Sequence, residues 1–265
     1  MTEQRRQNED SKAPSARDRF LPALLDMGEA LLGSGAEIYR AEDTLRRMGY
    51  AYGAKDMNVF VIPSSIVITM EMPDGTIRTQ TRRVRTANSN DFTRLDDINE
   101  LSRDYCGHPF SVEELRTRLE AITAQHVGKK ELLAGCMIAA GAFAIFFGGD
   151  ARDGAIAAMG GLLVWCLQVY FAPICMNDTV YTFLASFLMG LLVSAAGRIF
   201  PGLHVDQVMI GDIMLLIPGI MITNAIRDFL LGDTISGALR LIQAILLAGI
   251  LVLGVMSALG IARWM

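Results

Sequence analysis

Beyond Glu131 the chain almost stops using charge: Lys, Arg, Asp and Glu fill 12 of the last 134 positions, against 40 of the first 131. Those twelve lie mainly between apolar runs at about 132–148, 154–174, 180–197, 208–226 and 238–262. A helix of about 20 apolar residues matches a hydrocarbon core of about 30 Å, so the pattern predicts five membrane spans joined by short loops. It argues equally against a soluble single domain and against a protein made of spans alone. The expected plan is a tail over 1–18, a polar α+β domain over 19–128 and an all-α membrane domain over 129–265.

Orientation follows from Lys129 and Lys130, which abut the first run. Cations mark the side from which a span is inserted, and the first 18 residues contain no apolar signal region. The polar domain is therefore expected in the cytoplasm. A formal charge of −4 with both signs interspersed offers no basic stripe, so nucleic acid is not an expected partner. The four cysteines show no CxxC spacing and no metal or cofactor pattern.

Within the polar half, Phe20, Leu21, Leu24, Leu25, Leu31 and Leu32 recur at helical spacing up to the glycines Gly33 and Gly35. A second helix is expected from Ala36 to about Met48. Asn58 to Met72 is rich in β-branched residues and interrupted by Pro63-Ser64, which gives two short strands. Asp74-Gly75 is a hairpin signal, and Thr76 to Val84 is the return strand. Helices over about 91–105 and 111–125 follow, with Ser111 and Glu114 at capping-box spacing.

Two polar clusters stand out in this half. Glu37, Arg40 and Asp43 share a helix face, with Glu42 and Arg46 beside them. They read either as a solvated face laced with ion pairs of about 0.3–0.5 kcal/mol each, or as a docking or gating surface against the membrane domain. Arg78, Arg82, Arg83 and Arg85 read either as a strand face for anionic headgroups or an acidic ligand, or as an edge kept soluble by charge.

The fourth apolar run differs from the rest. It places Pro218-Gly219 mid-run, with Asp212 before the pair and Asn224, Arg227 and Asp228 after it. Proline removes a backbone donor and clashes with the preceding turn, so a kinked or broken helix is expected. A break at membrane depth must be satisfied by protein or by a water-filled cavity, and transporters use such breaks to bind small solutes. Asn224, Arg227, Asp228, Pro218 and Gly219 are accordingly the candidate substrate-binding positions, the other reading being an ordinary proline kink with Arg227 and Asp228 as interfacial anchors. Asp212 and Asp178 are the candidate proton-coupling acids, with helix capping as the other reading of both. Gly35, Glu37, Arg40 and Asp43 are the candidate gating or docking positions. The small residues inside the spans, Gly160 and Gly161 among them, are expected to let helices pack closely.

The blocks GSGAEIYRAEDTL, SSIVITM, DGTIRTQTRRV and GGDARDG, and above all LLIPGIMITNAIRDFLLGDTISGALR, resemble the threonine/serine exporter family of the ThrE and YjjP type over roughly residues 20–262. The resemblance implies a multi-pass protein of the bacterial inner membrane. It also implies export of threonine and serine or, for the YjjP branch, of succinate-like dicarboxylates. In that branch such a chain works beside a small membrane partner of the YjjB type, and five spans also suit assembly with further copies. Membrane lipid and a small-molecule substrate are the other expected partners. No Walker A, HExxH or GxSxG pattern occurs, so a secondary transporter is expected rather than an ATPase or another enzyme. The competing readings are a membrane-anchored cytoplasmic enzyme or sensor, and a scaffold subunit of a transporter.

Overall fold

The structure is a computed structural model that describes residues 16–84, 91–125, 128–175 and 177–264, with side chains from Arg19 onward. Residues 1–15, Arg85 and His126 lie outside the described residues. The protein is mostly helical with one small sheet. It divides into two compact units, one of Met1–His126 with Asn224–Leu239, the other of Val127–Thr223 with Arg240–Met265.

In the first unit, helix α1 (Ala16–Gly33) starts inside the expected tail and α2 (Ile38–Tyr52) runs one turn past Met48. The turn between them uses Gly35 at φ 95°, and α2 ends where Gly53 adopts φ 103° and its N–H reaches the carbonyls of Gly49 and Tyr50. Both angles lie in the left-handed region that glycine enters without a Cβ clash. Strands β1 (Asp56–Ile62), β2 (Ser65–Glu71) and β3 (Ile77–Arg83) form an antiparallel meander in the order β1-β2-β3. Ile62 pairs with Ser65 across Pro63-Ser64, and Gly75 has φ 82° in the second turn.

Alternation sends Met57, Val59 and Val61 of β1 and Ile66, Ile68 and Met70 of β2 into one core with α1 and α2. Helices α3 (Phe92–Gly107) and α4 (Val112–Ala124) close it with Ile98, Leu101, Tyr105, Leu115 and Leu119. The Asp91 carboxylate accepts from Arg94 N–H at 3.0 Å and the Ser111 hydroxyl accepts from Glu114 N–H at 3.2 Å, so both helices start on side-chain caps. Phe20 stacks on Tyr52 with ring centres 3.8 Å apart. The charged strand face resolves inward: Arg82 of β3 pairs with Asp26 at 2.8 Å and with Glu29 at 3.1 Å, both on α1.

The second unit begins with α5 (Lys129–Phe146) and α6 (Ala151–Cys166), which runs on through a π-helical turn, Leu167–Phe171. It continues with α7 (Asp178–Ile199) and the short α8 (Val205–Ile213). Helix α9 (Gly219–Leu230) and helix α10 (Thr234–Trp264) start and end on different sides of the division between units.

Among the described residues the five apolar runs give three helices long and apolar enough to cross a membrane: Ala151–Phe171, Asp178–Ile199 and Thr234–Trp264. Helix α5 holds Lys129, Lys130 and Glu131 in its first turn, and the fourth run is divided between two short helices, so neither reaches that standard. The division falls at Pro218-Gly219: helical structure stops at Ile213 and resumes at Gly219. Turn hydrogen bonds from Leu216 N–H to Ile213 O (2.8 Å) and Gly219 N–H to Ile217 O (2.8 Å) satisfy the backbone between. Large apolar side chains stay exposed on these helices, among them Ile138, Met159, Ile199 and Leu253. So extended an apolar surface suits lipid and not water.

Close approach of α5, α6 and α8 depends on glycine. A side chain on Gly161 would lie 2.6 Å from the carbonyl oxygen of Cys136, and one on Gly211 would lie 2.6 Å from that of Ala140. Small residues thus let backbone meet backbone, as expected inside a membrane.

Candidate functional site

The second unit contains an apolar cleft of about 470 Å³. Ile156, Met159 and Leu163 of α6 line one wall and Leu192, Val193 and Ala196 of α7 the other. Its ionisable group is Asp212, which α8 delivers from the turn before the helix break. Asp212 is fully buried, and neither of its carboxylate oxygens has a hydrogen-bond partner among the described residues. The carboxylate sits against Gly160, where any side chain would overlap it. The glycine therefore creates the space in which the acid is held, in addition to the close helix packing expected of it.

An unpartnered carboxylate among aliphatic side chains is costly to keep charged and is not what stability alone selects. An ionisable group in such surroundings generally pairs with an opposite charge or takes up a proton. Asp178 behaves differently. It is the first residue of α7 and stays exposed, and the expected cap is made by its neighbour, with the Asn177 carboxamide oxygen accepting from Thr179 N–H at 3.1 Å.

A second polar cluster in this unit had only its GGDARDG block as a signal. Asp150 and Asp153 form a reciprocal capping box at the start of α6. The buried Asp153 carboxylate also accepts from His204 N–H at 3.0 Å and is hydrogen-bonded to His204 Nδ1 at 2.8 Å. Asp150, Asp153 and His204 bring one ligand atom each within 4.8 Å of one another. The oxygens involved already accept backbone N–H groups, so the arrangement caps a helix and fastens the α7–α8 loop. The Asp153 carboxylate holds the His204 imidazole above its ordinary pKa, first through the hydrogen bond and then through its charge.

In the first unit the other predicted positions gather around α2. Glu37 precedes the helix and makes no capping hydrogen bond. Its carboxylate lies 3.5 Å from Arg40 Nε and bonds the guanidinium of Arg227. Asp43 pairs with Arg47 at 3.1 Å. Glu42 leaves the surface network and accepts from Val61 N–H of β1 at 2.8 Å, with burial pushing its carboxyl above the usual range. On α9, Ala225 and Asp228 are buried while Arg227 is half-exposed. The predicted trio is therefore split: Asp228 faces inward, Arg227 is engaged by Glu37, and Asn224 is partly exposed.

A family model described as a putative threonine/serine exporter matches residues 22–262. The chain belongs to the ThrE threonine/serine exporter family. The ThrE family is one of transporters and not of enzymes, and with three membrane-length apolar helices the chain is a membrane protein. No curated protein and no solved structure gives a significant match.

Proposed function

We propose that this ThrE-family chain exports small metabolites, threonine and serine or succinate-like dicarboxylates, across the bacterial inner membrane. It acts as a multi-pass subunit of a secondary exporter, with its amino-terminal domain in the cytoplasm and a small YjjB-like membrane protein or further copies completing the pathway. The observation that carries the reading is Asp212, a buried carboxylate without a partner in an apolar cleft, beside an interrupted helix. In this reading Asp212 takes up the coupling proton, with Asp178 at the exposed start of α7 as the second candidate acid.

Arg227 is the carboxylate-binding group, with Asn224 as a hydrogen-bonding neighbour and Asp228, Pro218 and Gly219 shaping the segment that presents them. A substrate carboxylate competes with Glu37 for the Arg227 guanidinium. Gly35, Arg40 and Asp43 position the helix that carries this gate. The test is counterflow of labelled threonine, serine and succinate in proteoliposomes holding the chain alone, or the chain with the partner. Exchange of one substrate class, dependent on a proton gradient and lost in Asp212→Asn, is the expected result. Absence of exchange for all three abandons the substrate assignment, and gradient-dependent exchange that survives Asp212→Asn removes the coupling role.

A further inference from the structure

Trp165 and Tyr170 meet edge to face near the end of the membrane-length helix Ala151–Phe171, with ring centres 6.0 Å apart. Positions five apart on an α-helix point about 140° away from each other, so a regular helix would keep the two rings apart. The π-helical turn removes that obstacle. Ala172 N–H donates to Leu167 O, five residues back, at 2.8 Å, and the widened turn carries Tyr170 round to the side of Trp165. Such turns are rare and recur at functional positions.

Both rings hold one residue of the neighbouring helix. The Trp165 indole N–H donates to the Lys129 carbonyl oxygen at 2.9 Å, and the Lys129 ammonium lies over the Tyr170 ring, 5.6 Å from its centre. Lys129 thus has its backbone tied by one ring and its charge lodged by the other. It is exposed and makes no ion pair among the described residues. Glu131, the nearest acid in sequence, lies about 200° round the helix from it, with its carboxylate against Gly128. Tyr170 is exposed, and so is Leu162, about one turn deeper than Trp165 on the same helix. An uncommitted cation therefore stands above an apolar surface at the end of a membrane-length helix.

We propose that Lys129, Trp165 and Tyr170 form a binding site for one anionic glycerophospholipid, with its phosphate on the Lys129 ammonium and an acyl chain along Trp165 and Leu162. The headgroup follows from charge. Every phospholipid offers a phosphate, but a choline or ethanolamine headgroup adds a cation, and the aromatic face that would take it is already filled by Lys129. A zwitterionic lipid therefore meets like charge, whereas phosphatidylglycerol brings only negative charge. A soluble phosphate has no use for the apolar surface below. Trp and Tyr collect at the headgroup level of membranes, which is where such a lipid presents its phosphate. The site goes beyond the export reading and uses none of its residues.

The test reads the fluorescence of Trp165. The chain has two tryptophans, so Trp264→Phe leaves Trp165 as the sole one. The full chain in that background is placed in phosphatidylcholine vesicles with increasing fractions of phosphatidylglycerol or phosphatidylcholine carrying brominated acyl chains, which quench an indole they touch. Both leaflets have one composition, so the result does not depend on orientation. Brominated phosphatidylglycerol is expected to quench at a mole fraction about fivefold lower than brominated phosphatidylcholine, the preference one lysine at a membrane surface confers. Lys129→Gln and Tyr170→Leu bring that ratio close to one, while Lys129→Arg and Tyr170→Phe keep it. Lys130→Gln leaves it unchanged, because Lys130 points about 100° away from Lys129. Inorganic phosphate relieves the quenching no more than chloride at equal ionic strength.

Equal quenching by the two lipids in the parent overturns the proposal. So does an equal loss of preference in Lys129→Gln and Lys130→Gln, which is the behaviour of general surface charge. Relief by inorganic phosphate beyond that of chloride also overturns it, as the mark of a site for a soluble anion. Lys129 is exposed, so Lys129→Gln and Lys129→Arg keep the test decisive even where Tyr170→Leu fails to fold. Failure of this site leaves the export reading standing, because counterflow is measured separately.

Discussion

The guanidinium of Arg227 is hydrogen-bonded to the carboxylate of Glu37, 190 residues earlier in the chain. Both groups lie in the first unit, and under the export proposal the pair is the contact that a substrate carboxylate would have to replace. Because Arg227 is half-exposed, the pair contributes only about 0.2–1 kcal/mol to stability. Arg227→Ala and Glu37→Gln are therefore expected to leave the unfolding temperature nearly unchanged while lowering counterflow. The exchange Glu37→Arg with Arg227→Glu recovers less transport than a purely structural pair would. Full recovery in the exchanged protein would make the contact a structural tie.

Gly160 and Asp212 offer a separate test of the apolar cleft. A methyl at Gly160 overlaps the carboxylate, so Gly160→Ala costs about 1–3 kcal/mol as an overpacked core position does. The double variant Gly160→Ala with Asp212→Ala is expected to regain most of that cost. Asp212→Asn keeps the volume, and its unfolding temperature is not expected to fall, since the oxygens have no hydrogen bond to lose. Thermal unfolding in detergent checks all three variants.

His204 gives the second unit a pH dependence whose sign follows from its raised pKa. The charged imidazole contributes stability that is fully present below its unfolded value of about 6.5 and is lost as pH rises through the higher folded value. Asp150 and Asp206 add to the same direction, and His204→Gln is expected to flatten the profile. The measurement is unfolding temperature against pH for the parent and the variant. A parent profile that rises across the same interval would contradict the pairing.

Gly53 ends α2 at φ 103° with open space where a side chain would be. Gly53→Ala should then cost about 1–2 kcal/mol, all of it conformational. Gly53→Asn should cost less, since asparagine enters the left-handed region more readily. Chemical denaturation of the two variants distinguishes this from a packing effect.

Much of this architecture is local and was therefore legible in the residues themselves. Enrichment in β-branched residues marks β1 and β2, Pro63-Ser64 and Asp74-Gly75 fix the turns, and Ser111 fixes the start of α4. The helix break needs only Pro218-Gly219. Pairings across long stretches of chain were not legible. Asp153 and His204 lie 51 residues apart, and each has an adequate local explanation, one as a cap and the other as a loop histidine. Asp212 and Gly160 each stand out in the sequence on separate grounds, but periodicity carries no information on which helix face meets which. Five apolar runs became three membrane-length helices because counting apolar residues ignores the charges on α5 and the division of the fourth run.

Helix α6 places two glycines in succession, Gly160 under the Asp212 carboxylate and Gly161 against the Cys136 carbonyl. Neighbouring positions on a helix point roughly 100° apart, so the pair serves two surfaces at once. Inserting or deleting one residue between Asp153 and Gly160 would turn both positions away together and bring Met159 or Gly161 under the acid. This segment can therefore vary in composition on its exposed side but is locked in length. Among related sequences, gaps should be confined to loops on either side of α6 and be absent between the capping box and the glycine pair.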